Sequence, residues 1–415
     1  MERDTRGTHA FRPVPRTGVI YVTTEAHQRG YRAGHPDWSN LGQGQPETGE
    51  LPGAPPRIDA LGVDPADHDY APIPGLWELR EAVAALYNQL YRRGLASQYT
   101  AENVAISGGG RAGLTRVVAS LGHVNLGHFL PDYTAYEELL DTFGTFLPIP
   151  ILLDADRAYA FTASDLEREI LGRGLSALLL SNPTNPTGRV VADEALSAWV
   201  ETGRALGCTL IFDEFYSHYV YGGSAPTLSA APYDEDVDTD PVVLGEGLTE
   251  SWRFPGVRVA GTLGPRAVSE RIASAGSFLD GGCARPMQTA AVPLLEPALA
   301  DQEAQAIGEA FGAKRRVMLE GLRALGIEVD PAPAGGFDCW GDLRRLPEAC
   351  RTGRGLFHRA LDEKVIVVPG GFFDINPGHR RPDRAGRFHH FARFSFGPPL
   401  DEIRRGLAGL ARAIG

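Results

Sequence analysis

The chain has 415 residues, 43% of them hydrophobic and 22% charged, with 40 Lys and Arg against 52 Asp and Glu and a formal net charge of -12. That length admits two domains or one large α/β domain, and the acidic balance argues against a broad basic face for nucleic acid or anionic lipid, leaving small-molecule chemistry as the expectation. Cys208, Cys283, Cys339 and Cys350 are widely spaced with no CxxC pair, which fits reduced core thiols better than a disulfide frame or a metal site. The opening MERDTRGTHAFRPVPRTG has no apolar stretch of signal-peptide type, and no run approaches the ~20 apolar residues of a membrane helix. A soluble, cytoplasmic protein is expected.

In chain order, residues 1–50 are rich in Pro, Gly and polar side chains and read as an extended N-terminal arm that contributes to a small domain. LWELREAVAALYNQLYRRG, from about Leu76, spaces its apolar residues as a helix does and ends on a glycine stop. Short apolar runs then alternate with helical stretches: NVAIS, a helix from about Ala112, GHFLP, a helix around TAYEELLDTFG, SALLLSNP, ADEALSAWVETGRALG, CTLIFDEF and PVVLGEG. That rhythm predicts an α/β fold with a mainly parallel sheet covered on both faces, and ligands collecting at the carboxyl ends of its strands. After about Leu295 a long helical stretch leads to GGFDCW, KVIVVPGG and ARFSFG, a second αβ unit. The expected organisation is the arm (1–50), a large domain (51–295) and a smaller α/β domain (296–415).

Seven motifs stand in order at or near these strand ends: YAPIPGLWELREAV, PDYTAY, SNPTNPTG, LIFDEFY, PGVRVAG, VVPGGFF and ARFSFG. Their order and spacing resemble the class I/II aminotransferases, the fold-type I enzymes that use pyridoxal phosphate (PLP), over nearly the whole chain. The resemblance implies that fold, with a seven-stranded-type sheet in the large domain. It also implies a role for each matched residue. Asp213 pairs with the pyridine nitrogen, keeping the ring an electron sink. Tyr216 and Asn185 hydrogen-bond the ring's phenolic oxygen, and Tyr133 stacks on the ring. Arg258 binds the phosphate, with Gly109, Gly110, Arg111 and Thr249 beside it. Tyr70 reaches the phosphate of a neighbouring subunit, which implies a homodimer. Arg393, with Gly44 nearby, holds a substrate carboxylate by a two-pronged ion pair.

The pattern breaks at one position. In the family the Schiff-base lysine lies eight residues before the phosphate-binding arginine, and counting back from Arg258 lands on Glu250. The chain has just two lysines, Lys314 and Lys364, both read here as solvated charges. Gly110 and Gly247 stand where the family has small hydroxyl residues that hold the phosphate. A carboxylate cannot form a Schiff base, yet it can serve as a general acid or base where its surroundings tune its pKa.

Three readings follow. The first is a PLP-independent lyase or cyclase of natural-product (polyketide-type) biosynthesis, similar to lysine-less aminotransferase-like proteins. It would catalyse dehydration and Michael-type ring closure with Glu250, Tyr216, His218 and Asp213 as catalytic groups, no covalent cofactor and no metal; ordinary transamination is not expected. The second is an aminotransferase-like or dehydratase enzyme holding PLP or pyridoxamine phosphate noncovalently. The third is a non-catalytic ligand-binding protein.

Overall fold

The computed structural model describes Val14 and residues 18–415 apart from 224, 383 and 384. Most of the opening segment considered above, residues 1–13 and 15–17, lies outside the described residues. Where an extended arm was expected, α1 (Gly18–Gln28) forms a helix and buries Val22 and Ala26. Tertiary packing on that face outweighs the low helix propensity of its β-branched run.

Strand β1 (Ser39–Asn40) and α2 (Trp77–Tyr91) precede the large sheet. That sheet is built from β2 (Val104–Ser107), β3 (Asn125–Leu130), β4 (Leu147–Leu152), β5 (Leu175–Ser181), β6 (Thr209–Asp213), β7 (Val242–Gly247) and β8 (Ala260–Leu263). Its helices are α3 (Gly110–Ala119), α4 (Tyr136–Thr142), α5 (Ala163–Arg173), α6 (Asp193–Leu206) and α7 (Arg266–Leu279). The seven strands run in the order β2-β8-β7-β6-β5-β3-β4. Only β8 is antiparallel to its neighbours; the pairs from β7 to β4 are parallel.

Local chemistry explains the details. β5 is apolar along nearly its whole length (LSALLLS) and almost wholly buried, as a strand covered on both faces must be. β4, not anticipated in LPIPIL, lies at the sheet's edge, the place where a strand tolerates prolines such as Pro148 and Pro150. Helix α5 opens on a capping box between Thr162 and Asp165 and stops at left-handed Gly174.

Helices α8 (Arg285–Ala291) and α9 (Pro297–Ala324) lead to β9 (Asp338–Asp342), α10 (Gly353–Asp362), β10 (Val365–Ile366), β11 (Val368–Pro369), β12 (Phe391–Ser395) and α11 (Leu400–Ile414). A three-stranded antiparallel sheet runs β11-β12-β9, while β10 pairs back with β1. The protein is thus α/β, with a large, mainly parallel seven-stranded sheet and a second, smaller sheet formed by the C-terminal part of the chain. All four cysteines are buried and free. Among the described residues no helix is long and apolar enough to cross a membrane.

Candidate active site

The register of the large sheet sets Ser181, Asp213 and Gly245 side by side at the carboxyl ends of β5, β6 and β7. The loops after those ends carry Asn185, Tyr216 and Glu250 into one cavity of about 440 Å³. Gly44, Gly110, Arg111, Tyr133, Asp213, Thr249, Arg258 and Arg393 line it as well. Residues from opposite halves of the chain therefore meet at a single site.

One end is built for an anion. Gly109 precedes α3 with φ 95°, and a Cβ there would meet the Arg258 guanidinium at 2.1 Å, so only glycine lets that side chain lie against the helix start. The start of an α-helix presents unpaired N–H groups and the positive end of its dipole. Arg258 itself adopts left-handed φ 56° and donates to Thr249 Oγ1 at 3.2 Å and to the Pro255 carbonyl at 3.0 Å. Arg111 donates to the Tyr133 hydroxyl through Nε (3.2 Å) and Nη2 (2.9 Å). The glycines at 110 and 247, where lost hydroxyl donors were inferred, have packing reasons of their own. A Cβ at Gly110 would strike the Phe215 ring at 2.5 Å, and one at Gly247 would strike Ala260 at 2.7 Å.

The middle of the cavity is acidic. Asp213 accepts from the Tyr136 hydroxyl at 2.7 Å, and burial raises its carboxyl pKa to about 6. Asn185 donates to the Tyr216 hydroxyl across 3.4 Å. Glu250 lines the cavity with Oε2 buried and without a hydrogen-bond partner among the described residues. Burial and then repulsion from Asp213 push its pKa well up, against the pull of Arg258 and Arg111. A raised pKa favours the protonated, neutral form of such a group.

At the far end, Arg393 is 1% exposed. It donates to Asn185 Oδ1 and to the Gly42 carbonyl, each at 3.1 Å, and its Nε lies 3.4 Å from Asp338 Oδ1.

Other expected site residues fall elsewhere. His218 is buried behind the cavity: its Nδ1 is 2.9 Å from the Ser217 hydroxyl and 3.5 Å from Glu246, and its ring packs on Trp252, so it does not line the cavity. Tyr70 is 94% exposed on this chain. Neither lysine lines the cavity. Lys364 pairs with Asp37 at the surface. Lys314, read from its charged helix as solvated, is instead buried and held by Glu47 and the Gly397 carbonyl; distant parts of the chain, invisible in the local pattern, supply its partners. Tyr136 and Asp338 were missed. The PDYTAY motif contains Tyr136 and offered a signal for it, whereas Asp338 in GGFDCW had as its only signal a charge within an apolar strand.

The residues suit a PLP-type cofactor on structural grounds. Gly109 leaves a cradle a Cβ would fill, the helix start and two arginines match a phosphate, and a buried carboxylate faces the cavity where a pyridine nitrogen needs one. The family comparison decides the lineage: the profile described as aminotransferase class I and II matches residues 36–406. The chain belongs to this family. Among its relatives, an aspartate/prephenate aminotransferase of Thermus thermophilus is 27% identical over 358 residues, 83% of each chain. A protein of Mycobacterium tuberculosis named as a probable N-succinyldiaminopimelate aminotransferase is 28% identical over 386 residues, 90% of this chain and 92% of that one. In fold, an aminotransferase structure from Mycobacterium tuberculosis matches with a TM-score of 0.78 at 24% identity, covering 100% of this chain and 99% of its own. The Thermus thermophilus aspartate aminotransferase with maleate gives 0.77 at 23%, with both chains fully covered.

These relatives correct three expectations. The curated relatives are named as aminotransferases, not lyases or cyclases, which overturns the PLP-independent dehydration and cyclisation reading and with it the natural-product assignment. Membership in an aminotransferase family likewise overturns the expectation that transamination is absent. The same membership, with the cradle described above, points to PLP where cofactor-free chemistry was expected.

Proposed function

We propose that this aminotransferase-family protein binds a PLP-type cofactor and exchanges an amino group on a small molecule, with Glu250 as the proton-transfer group beside the reacting carbon. The observation that carries the reading is the unpartnered Glu250 Oε2 in a cavity that also contains Asp213, Asn185, Tyr216, Tyr133 and Arg258.

When bound, the cofactor supplies a conjugated ring that takes up an electron pair from the substrate carbon. Asp213 is suited to hold the pyridine nitrogen protonated, Tyr216 and Asn185 to bind the phenolic oxygen, and Tyr133 to cover one ring face. Arg258, Thr249, Arg111 and the N–H groups at the start of α3 are suited to the phosphate. Because no lysine amine lines the cavity, these contacts would have to hold the cofactor. Glu250 keeps the proton-transfer half of the family lysine's work, holding or accepting a proton at Oε2. The exposed Tyr70 supports a homodimer in which it completes the neighbouring site.

The test is an absorbance titration of PLP and of pyridoxamine phosphate into the purified protein, with melting curves alongside. Saturable binding with a raised melting temperature is expected, and Arg258→Ala should weaken it roughly 10- to 100-fold, the loss of a charge-assisted contact. No binding and no stabilisation by either compound would refute the proposal. Light scattering tests the dimer.

A further inference from the structure

Arg393 and Asp338 form a pair that the relatives' names do not account for. Arg393 on β12 lies opposite Trp340, and Asp338 on β9 lies opposite Ser395, so the two are diagonal neighbours on one face of the small sheet. Both are buried, at 1% and 2% exposure. Nε of Arg393 is 3.4 Å from Asp338 Oδ1, and the two terminal nitrogens each already give one hydrogen to a protein oxygen, Asn185 Oδ1 or the Gly42 carbonyl. Arg393 lines the cavity; Asp338 does not, so it sits behind the guanidinium.

This arrangement changes what the guanidinium can recognise. A two-pronged carboxylate needs a pair of adjacent N–H groups and an uncompensated positive charge. Here the charge is compensated by a buried carboxylate 3.4 Å from Nε, an ion pair without a hydrogen bond, since Nε and both Asp338 oxygens have no hydrogen-bond partner among the described residues. Of the other titratable groups lining the cavity, Arg258 and Arg111 would serve a phosphate and Asp213 a ring nitrogen, and Glu250 adds a second carboxyl rather than a compensating positive charge. A substrate carboxylate at Arg393 would therefore enter as a surplus negative charge in a buried setting, where unpaired charge is costly. A neutral oxygen accepting from the remaining N–H groups meets no such penalty.

We propose that Asp338 is a specificity-determining residue which converts the Arg393 end of the cavity from a carboxylate clamp into a site for an uncharged hydrogen-bond acceptor, such as an amide, ketone or hydroxyl oxygen. The substrate class is then an amine or carbonyl compound whose group at that end is neutral. This inference rests on the reading that the cavity is the substrate site.

The experiment compares 3-phenylpropionate with 3-phenylpropionamide as probes in thermal melts of the PLP-treated wild type, Asp338→Asn, Asp338→Ser and Asp338→Asn/Arg393→Gln. The wild type should be stabilised by the amide and unmoved by the acid. Asp338→Asn, or Asp338→Ser should the first fail to fold, should gain stabilisation by the acid of about 2 °C or more at saturating probe, and the double variant should lose that gain. Equal stabilisation of wild type and Asp338 variants by the acid, or no gain in either variant, overturns the proposal. Absorbance of bound PLP in the same samples separates the two readings. Bound PLP with an acid-preferring wild type refutes the specificity inference alone, whereas absent PLP refutes the proposed function and leaves the amide and acid comparison readable.

Discussion

Glu246 and Glu250 are four residues apart and have opposite surroundings. Glu246, at the end of β7, is 7% exposed and fully employed. Ser217 and Ser251 donate short hydrogen bonds to Oε1, Tyr87 donates to Oε2 at 2.7 Å, and His218 approaches at 3.5 Å. Burial alone would raise its pKa, but pairing with His218 and the serine hydroxyl bonds outweigh burial and hold it below the ordinary carboxylate value. Glu250 faces the cavity with an unpartnered oxygen, and burial and Asp213 drive its pKa upward. A buried carboxylate whose lone pairs are all met by the protein is a structural tie. One left unmet beside a cavity is available to a ligand.

The largest effect that would sharpen this contrast is catalytic. Glu250→Gln should lower the rate of amino-group exchange by about 10²- to 10⁴-fold, the range for loss of a general acid or base, while leaving the melting temperature the same or higher. Stopped-flow absorbance against a panel of amines and amino acids reads the first quantity and calorimetry the second; an unchanged rate would remove Glu250 from the mechanism. Next in size, Glu246→Leu should destabilise the fold by about 3 kcal/mol, because it strands several buried hydroxyl donors, as read by urea unfolding. A fully stable variant would contradict the structural role.

The pH dependence of stability should divide the same way. Glu250 has a raised folded pKa, so its contribution to stability is present below the unfolded value near 4.5 and is lost as pH rises through the folded value. Glu214, whose pKa burial raises to about 8, acts in the same sense. Glu246 has a lowered folded pKa, so its contribution is present above the unfolded value and is lost as pH falls through the folded one. Melting temperatures should therefore decline between pH 5 and 9, less steeply in Glu250→Gln, and Glu246→Gln should flatten the acid limb instead. The smallest effect is expected from Ser251→Ala, about 1 kcal/mol in unfolding with exchange rates unaffected.

Much of this was legible in the sequence where the chemistry is local. Alternating apolar runs and helices disclosed the parallel sheet because such strands, covered on both faces, are nearly continuous in hydrophobicity. Asp213, Asn185, Tyr216, Tyr133 and Arg258 were named through the family resemblance of their motifs, and all five line the one cavity. What escaped depends on long-range pairing. Lys314 finds Glu47 across 267 positions, and Asp338 meets Arg393 only through antiparallel registration of two strands. His218 lies two residues from Tyr216 in the sequence, but its side chain turns to Glu246 rather than to the cavity. Glu250 itself stands out in the sequence, and with Gly110 and Gly247 it suggested cofactor-free chemistry; the family match points to a cofactor instead, and both glycines have packing reasons of their own.

The protonation state of Glu250 tests the account most directly. The infrared difference spectrum between the wild type and Glu250→Gln at neutral pH should contain a carboxylic-acid carbonyl band present in the wild type and missing in the variant. If the wild type instead contributes an ionised carboxylate band at that position, Glu250 is not the proton-holding acid of the cavity, and the proposed role fails.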